Sequence, residues 1–425
     1  MAELRQRQRK YDILVWGATG YTGRLVAEYL SQITISRYPS LRWAIGGRNQ
    51  RALEDVRAGM AKINPKSAEV DIVIGDVKNQ ELIEWVVGQT KVIIATAGPF
   101  SLVGTPIVEA CVKLGVDYVD ITGESQWVRK LINQYQYHEV ASRKGIFIVP
   151  FCGFDSIPSD ISSFCVADYI KTKLGKRCGP IRTGWFSLPA GGFSGGTFAS
   201  MLNFAAMPTK DAKEAMDKYA LNPTEFRPNT DPSDPILPSY QSLLNTWTTP
   251  FIMGSVNSRV VRRSNSLVKS HYGEKFSYME YMAVRNPIFA GIITFGLVVL
   301  VILLSFGFTR ELLRKVLPKP GQGPSKEDLK KGGTKVVAVG LTDEASPRRV
   351  ECTLRYPKDV SAGYLGTAIT VTEAALCLAL QRDAVEKNVQ ANGLTGGVLT
   401  PASAFGHVLV QRLRDAGITV DVKEI

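Results

Sequence analysis

The stretch Tyr11-Asp-Ile-Leu-Val-Trp-Gly-Ala-Thr-Gly-Tyr-Thr-Gly23 constrains this chain more than any other. Ile13 to Trp16 is a short apolar run of the length of a buried parallel strand. Glycines come next at Gly17, Gly20 and Gly23, with Thr19, Tyr21 and Thr22 between them. The next residues, Arg24 to Leu30, place Leu25, Val26, Tyr29 and Leu30 on one helical face. Strand, glycine turn and helix are the setting of a dinucleotide fingerprint. Gly17 allows the tight turn, Gly20 lets backbone approach a pyrophosphate, and Gly23 lets helix and strand pack closely. The N–H groups opening the helix then face the phosphates. The spacing is the G-x-x-G-x-x-G variant.

Beyond this turn the chain keeps alternating strand and helix. Leu41–Ile45, Val70–Ile74, Val92–Ala97, Asp117–Asp120 and Ile146–Val149 read as strands, with one long helix expected before Lys144. The pattern predicts an α/β fold, a Rossmann-type doubly wound parallel sheet over residues 1–150. The second strand ends in Gly46-Gly47-Arg48-Asn49, with no acidic residue for a ribose hydroxyl. An arginine there suits a 2′-phosphate, so Arg48 predicts NADP(H) over NAD(H). The alternative is a solvated turn arginine. Asp76, after the third strand, reads equally as an adenine contact or a helix cap. Gly98, after the fourth, suits close passage of a cofactor.

Five motifs occur in order: Gly17-Ala-Thr-Gly-Tyr-Thr-Gly23, Ala97-Gly-Pro-Phe100, Asp117-Tyr-Val-Asp-Ile-Thr-Gly-Glu124, Gly153-Phe-Asp-Ser-Ile-Pro-Ser-Asp160 and Ser194-Gly-Gly-Thr197. Together they resemble the saccharopine dehydrogenase-like oxidoreductases, which include bacterial trans-acting enoyl reductases. The resemblance runs from about residue 11 to 415. It implies a nicotinamide cofactor and an association with lipid metabolism and lipid droplets. It does not imply chemistry on saccharopine.

Residues 151–285 and 334–392 read as a second α+β domain. Gly153 to Asp160 lies after a strand carboxyl end, where ligands bind in such sheets. Asp155 and Ser156 are therefore candidate catalytic residues, with helix capping as the alternative. Ser156, Tyr169 and Lys173 also reproduce the short-chain dehydrogenase serine and Y-x-x-x-K spacing. That gives a second alternative, a carbonyl reductase. Against it, Tyr169 falls several helical turns beyond the site loop. The Ala190–Thr197 loop is a candidate backbone cradle or a plain turn. Gly363–Leu380 reads as a helix of the second domain. The last helix, from Pro401, is expected to return residues 393–425 to the Rossmann unit.

Ile288 to Phe308 is uncharged and long enough to cross a bilayer. Arg285 precedes it, and Arg310, Arg314, Lys315 and Lys319 come after it. Strands on both sides of 286–333 are expected in one sheet, which conflicts with a single crossing. The expectation is a membrane-associated segment that inserts without crossing, at an intracellular membrane or lipid droplet surface. The net charge of +12 then reads as membrane plus anionic cofactor. No aromatic–basic module points to nucleic acid. Arg259, Arg262 and Arg263 form a basic cluster near the membrane segment. Six scattered cysteines and three histidines suggest no metal site. The expected partners are a lipid-linked small molecule, the lipid surface and a second copy of the chain. A non-catalytic nucleotide-binding scaffold is the rival reading.

Overall fold

The computed structural model describes residues 9–187, 192, 194–228, 231–268, 272–319 and 321–425. His271 and part of the glycine-rich loop, residues 188–191 and 193, lie outside the described residues, as do residues 1–8 of the polar amino terminus. Two seven-stranded sheets organise the rest.

The first sheet opens with β1 (Tyr11–Trp16), β2 (Trp43–Gly47), β3 (Asp71–Ile74), β4 (Thr90–Ala95), β5 (Asp117–Asp120) and β6 (Phe147–Val149). The second contains β7 (Cys178–Trp185), β8 (Ser239–Gln241), β9 (Thr246–Pro250), β10 (Ser277–Val284), β11 (Lys335–Thr342) and β12 (Arg349–Arg355). The last strands are β13 (Gly397–Val398) and β14 (Thr419–Glu424). The first sheet runs β13-β6-β5-β4-β1-β2-β3, and its pairs are parallel. The order reverses at β1, where β4 and β2 flank it. Such a switch point opens a crevice outside the strand carboxyl ends. The central strands are apolar on both faces because helices cover both.

The second sheet runs β14-β12-β11-β7-β10-β9-β8. At its centre β7 pairs in parallel with β10 and antiparallel with β11. Met282 of β10 and Val336 of β11 both pair with Trp185. The excursion from Val284 to Lys335 therefore leaves and returns at the same end of one sheet. It carries an apolar helix, Pro287–Ser305, and a second helix, Gly307–Val316. Asn286 caps the first by accepting the Phe289 N–H at 3.0 Å. One side of that helix meets β9, where Thr249 and Thr294 hydroxyls lie 2.7 Å apart. The other side is open, with Ile292, Phe295 and Ile302 exposed.

Several expectations need correction. The long helix before Lys144 is two, Ser125–Asn133 and Tyr137–Lys144, broken at Gln136 in a left-handed conformation. The helix Thr367–Leu380 packs against the elbow helix Tyr21–Ile33, β4 and β5 rather than within the second sheet. Its apolarity on every side is that of a core helix. After Pro401 the chain forms two short helices, Pro401–Phe405 and His407–Asp415, separated at Gly406, and ends as β14 in the second sheet. Both β13, which pairs with β6, and the helix Pro401–Phe405, which packs against β6, lie on the Rossmann sheet.

Arg259, Arg262 and Arg263 are not surface residues. All three are buried on the helix Gly254–Leu267. Arg259 donates to Met216 O at 2.6 Å and pairs with Asp234. Arg262 pairs with Asp231 at 3.2 Å and donates to Tyr278 O at 3.1 Å. Arg263 donates to the carbonyls of Leu221 and Val398. Their planar forks hold an irregular segment against the helix, a task for which arginine is suited. Arg263→Leu removes the hydrogen bonds to two buried carbonyls and is expected to cost about 2–4 kcal/mol in urea unfolding. A change within about 0.5 kcal/mol contradicts this role.

Candidate functional site

The elbow itself is a set of backbone contacts. Gly17 has φ +86°, and an added Cβ would lie 2.8 Å from Ala97 Cβ. A Cβ on Gly23 would meet Gly17 O and lie 2.7 Å from Thr96 Oγ1. Gly20 N–H donates to Gly17 O at 2.9 Å, closing the turn. Gly20 stands at the helix N-cap without a side-chain cap. The N–H groups of Tyr21, Thr22 and Gly23 have no acceptor among the described residues, as helix starts require unless a partner arrives. Among the described residues, Thr19 and Thr22 likewise keep free hydroxyls. The Tyr21 ring is held to one side, edge-on to Tyr364 at 5.0 Å, and its hydroxyl donates to Pro324 O at 2.7 Å. The residues present fit a pyrophosphate.

Arg48 is exposed at the end of β2, with no hydrogen bond or ion pair to the described residues. Asn49 beside it caps the next helix by accepting the Ala52 N–H at 3.0 Å. Arg48 is thus left free to reach a ligand at the strand end. Asp76 lies on the neighbouring strand end, where Gly75 N–H donates to Gly47 O at 3.1 Å. Its carboxylate accepts the Lys78 N–H at 3.0 Å, making a turn, while Asn79 caps the next helix. Gly98 is exposed at the rim, one residue past Ala97.

The other wall comes from the motifs after β4, β5 and β6. Glu124, buried, accepts Phe100 N–H at 2.8 Å, Ser101 N–H at 3.0 Å and Ser101 Oγ–H at 2.5 Å. The helix Gly195–Ala205 lies over this loop, with Ser200 Oγ donating to Glu124 at 3.0 Å and Asn203 Nδ2 to Ser101 Oγ at 2.9 Å. Ser194 caps that helix, and its own N–H donates to Tyr364. Glu124, Ser200, Asn203 and Tyr364 were not among the sequence candidates. Glu124 sits within one of the five motifs; the other three carry no local signal.

Ser156 is buried, and its hydroxyl donates to Asn257 Oδ1 at 3.0 Å. Asn257 donates in turn to Glu280 Oε1 at 2.7 Å, so Ser156 belongs to a structural network. Its helix, Ile157–Leu174, is unbroken. Tyr169 therefore stands roughly 20 Å along the axis from Ser156 at 1.5 Å per residue. Ser156, Tyr169 and Lys173 do not converge, which removes the basis for the carbonyl-reductase alternative.

Asp155 differs from its neighbours. Burial pushes Asp120, Asp160 and Glu280 up to about 7. Each of these carboxyls accepts hydrogen bonds: Asp120 from Thr122 and Phe151 N–H, Asp160 from Ala402 N–H, Glu280 from Trp185 Nε1. Asp155 accepts none among the described residues, and burial alone raises it to about 6. It keeps part of its surface accessible. An unpaired carboxyl poised near neutrality is suited to proton transfer. A separate cavity of about 990 Å³ lies on the outer flank of the elbow helix, between it and residues 316–330. Gly17, Gly98 and Asp155 do not line it. Among the described residues no cluster of His, Cys, Asp and Glu is suited to a metal ion.

Comparison with known proteins agrees with this geometry. Residues 13–149 match the family model for the saccharopine dehydrogenase NADP binding domain. A trans-acting enoyl reductase of Mycobacterium ulcerans is 31% identical over 98% of this chain and 99% of its own. This chain belongs to the saccharopine dehydrogenase-like oxidoreductases. A second relative, a candidate trans-acting enoyl reductase of Mycobacterium tuberculosis, is 33% identical, with 98% of each chain covered. The apo saccharopine dehydrogenase of Saccharomyces cerevisiae aligns over 97% of this chain and 99% of that one, at 14% identity and a TM-score of 0.48. The family places an NADP-binding oxidoreductase domain where the elbow lies.

Two substitutions probe the site. Gly23→Val is expected to abolish NADPH binding by calorimetry, since its side chain would displace Gly17 O; unchanged affinity contradicts the cradle. Asp155→Asn removes a carboxylate that resists ionisation in the folded state. Its raised pKa means that native stability falls as pH climbs from about 4 to about 6. The variant should therefore be more stable than the parent at pH 7, by about 1–3 kcal/mol, and not at pH 4. Equal urea midpoints at both pH values contradict this.

Proposed function

We propose that this oxidoreductase uses NADPH to reduce a C=C or C=N bond in a lipid-linked substrate at a lipid surface. The observation that carries the reading is Asp155, whose buried carboxyl accepts no hydrogen bond among the described residues while Asp120, Asp160 and Glu280 do. Bound NADPH supplies the hydride. Asp155 supplies the matching proton, and Glu124 holds the Ala97-Gly-Pro-Phe100 loop in place across the crevice from the elbow. Several relatives are named trans-acting enoyl reductases, which favours a conjugated C=C bond as the target. The free Arg48 guanidinium suits a 2′-phosphate and favours NADP(H) over NAD(H).

The apolar helix supports attachment to lipid. Among the described residues two helices are long and apolar enough to cross a membrane; 362–380 is mostly buried in the protein, whereas Pro287–Ser305 is mostly exposed. The helix Gly307–Val316 continues this surface, with Phe308, Leu312 and Val316 exposed at every fourth position. Arg314 and Lys315 accompany them, as at an anionic interface. Because β10 and β11 flank the same strand, the segment inserts and returns on one side. That pose suits a membrane leaflet or a droplet monolayer.

Three measurements test the reading. Wild-type protein should oxidise NADPH with enoyl thioesters, and Asp155→Asn should lower kcat about 100-fold with NADPH affinity unchanged. Since the acid must be protonated, kcat should fall as pH rises through about 6. Binding without turnover across enoyl thioesters and imines would instead indicate a scaffold. Arg48→Ala should reduce the preference for NADPH over NADH about tenfold; an unchanged ratio refutes its role. The triple variant Ile292→Asp, Phe295→Asp and Ile302→Asp should stop co-flotation with anionic phospholipid vesicles, and continued flotation refutes the lipid-facing surface.

A further inference from the structure

The cavity of about 990 Å³ on the outer flank of the elbow helix lies apart from the crevice. Its volume is at the upper end of the range for small-molecule sites, about 300–1,000 Å³. One wall is the elbow helix Tyr21–Ile33 with the helix Gln50–Ala61, and the other is the returning chain, residues 316–330. The apolar lining includes Leu25, Val56, Leu317, Leu329 and Leu365. Arg24, Lys326 and Lys330, all exposed, supply positive charge against the acids Glu28 and Asp55. None of these charged side chains makes an ion pair or hydrogen bond among the described residues. Arg24 and Glu28 stay unpaired although residues four apart on a helix are within reach of each other. An apolar floor under unpaired cations in excess complements a molecule with a greasy chain and an anionic head. Val316 also lines the cavity, and it is the last member of the exposed apolar stripe Phe308, Leu312, Val316. The stripe and the cavity thus form one continuous apolar path.

We propose that this cavity is an effector site for a single-chain anionic amphiphile, and that filling it tightens the nucleotide cradle. The acyl chain lies against Leu25, Val56 and Leu329, and the head, a carboxylate or a phosphate, meets Arg24, Lys326 and Lys330. The coupling runs through Tyr21, which belongs to both sites. Its N–H is one of the free donors of the cradle, and its ring lines the cavity. The returning chain is tied to that ring: the Tyr21 hydroxyl donates to Pro324 O at 2.7 Å, and a Cβ on Gly323 would come within 2.6 Å of it. The same chain holds the helix over the Glu124 loop, since Gln322 O accepts the Gly195 N–H at 3.0 Å. A ligand wedged between the walls therefore fixes the elbow on one side of the crevice and the helix Gly195–Ala205 on the other. Linkage is reciprocal, so bound NADPH tightens the amphiphile by the same factor.

The test titrates oleate and 1-oleoyl-lysophosphatidate, each below its micelle concentration, into the full-length protein by calorimetry. At least one should bind saturably, and the tighter of the two assigns the head as carboxylate or phosphate. Oleyl alcohol, which has no charge, should bind about tenfold more weakly. The double variant Lys326→Glu and Lys330→Glu should weaken both anionic probes about tenfold. Gly59 lines the cavity, and an added Cβ there meets nothing within 4 Å, so Gly59→Trp puts an indole into open space. This variant should keep the thermal stability and the NADPH affinity of the parent and lose both probes. In the parent, saturating probe should tighten NADPH binding about fivefold, and in Gly59→Trp it should have no effect. Binding of neither probe, or binding untouched by both the lysine and the Gly59 variants, would overturn the site. Equal affinity for oleyl alcohol would overturn the anionic head, and an NADPH affinity indifferent to the probe would overturn the coupling. These readouts need no turnover, so they stand or fall separately from the reductase reading.

Discussion

The missing side chain of Gly23 is the constraint on which the nucleotide crevice depends. The elbow helix can start directly under β1 only because no Cβ stands between Gly23 and the Gly17 carbonyl. That contact brings the free N–H groups of Tyr21, Thr22 and Gly23 to the carboxyl end of the sheet. It also sets the helix against β1 and Thr367–Leu380 against the helix. A single added methyl would push the helix outward and unseat the other helix with it. The close packing comes from a backbone requirement rather than from apolar burial, which tolerates far larger changes of shape.

The second sheet serves the first by delivering residues to its crevice from distant parts of the chain. The helix Gly195–Ala205 touches the apolar helix on one side and reaches Ser101 and Glu124 on the other. Arg310, just past the apolar helix, donates to Ala205 O at the end of that same helix. The chain then returns past the elbow, where Gly323 lies against the Tyr21 ring and Gln322 O accepts the Gly195 N–H at 3.0 Å. The apolar excursion is therefore built into the crevice walls at both ends.

How legible each feature is in the sequence depends on how local its cause is. The elbow is plain because three glycines and an apolar strand state a backbone requirement within thirteen residues. Strands β1 to β6 of the first sheet are plain for the same reason, with ends shifted by up to two residues, whereas β13, two residues long, carries no such signal. Arg259, Arg262 and Arg263 are easily misplaced because a charged triplet looks solvated until its partners, which come from as far as Met216 and Val398, are known. The helix Thr367–Leu380 is apolar all round, so nothing in it says which sheet it covers. Tyr364 is invisible, since a tyrosine becomes a site residue only through the residues it meets, here the Ser194 N–H. Asp155 stands out by position alone; that it accepts no hydrogen bond among the described residues is a property of the fold.

Hydrogen–deuterium exchange on adding NADPH tests the central claim most directly, because it reads the backbone groups themselves. The account predicts slowed exchange at the Tyr21, Thr22 and Gly23 amides, which have no acceptor among the described residues, with little change in the second sheet. Unaltered exchange across residues 17–24 at saturating NADPH would contradict it.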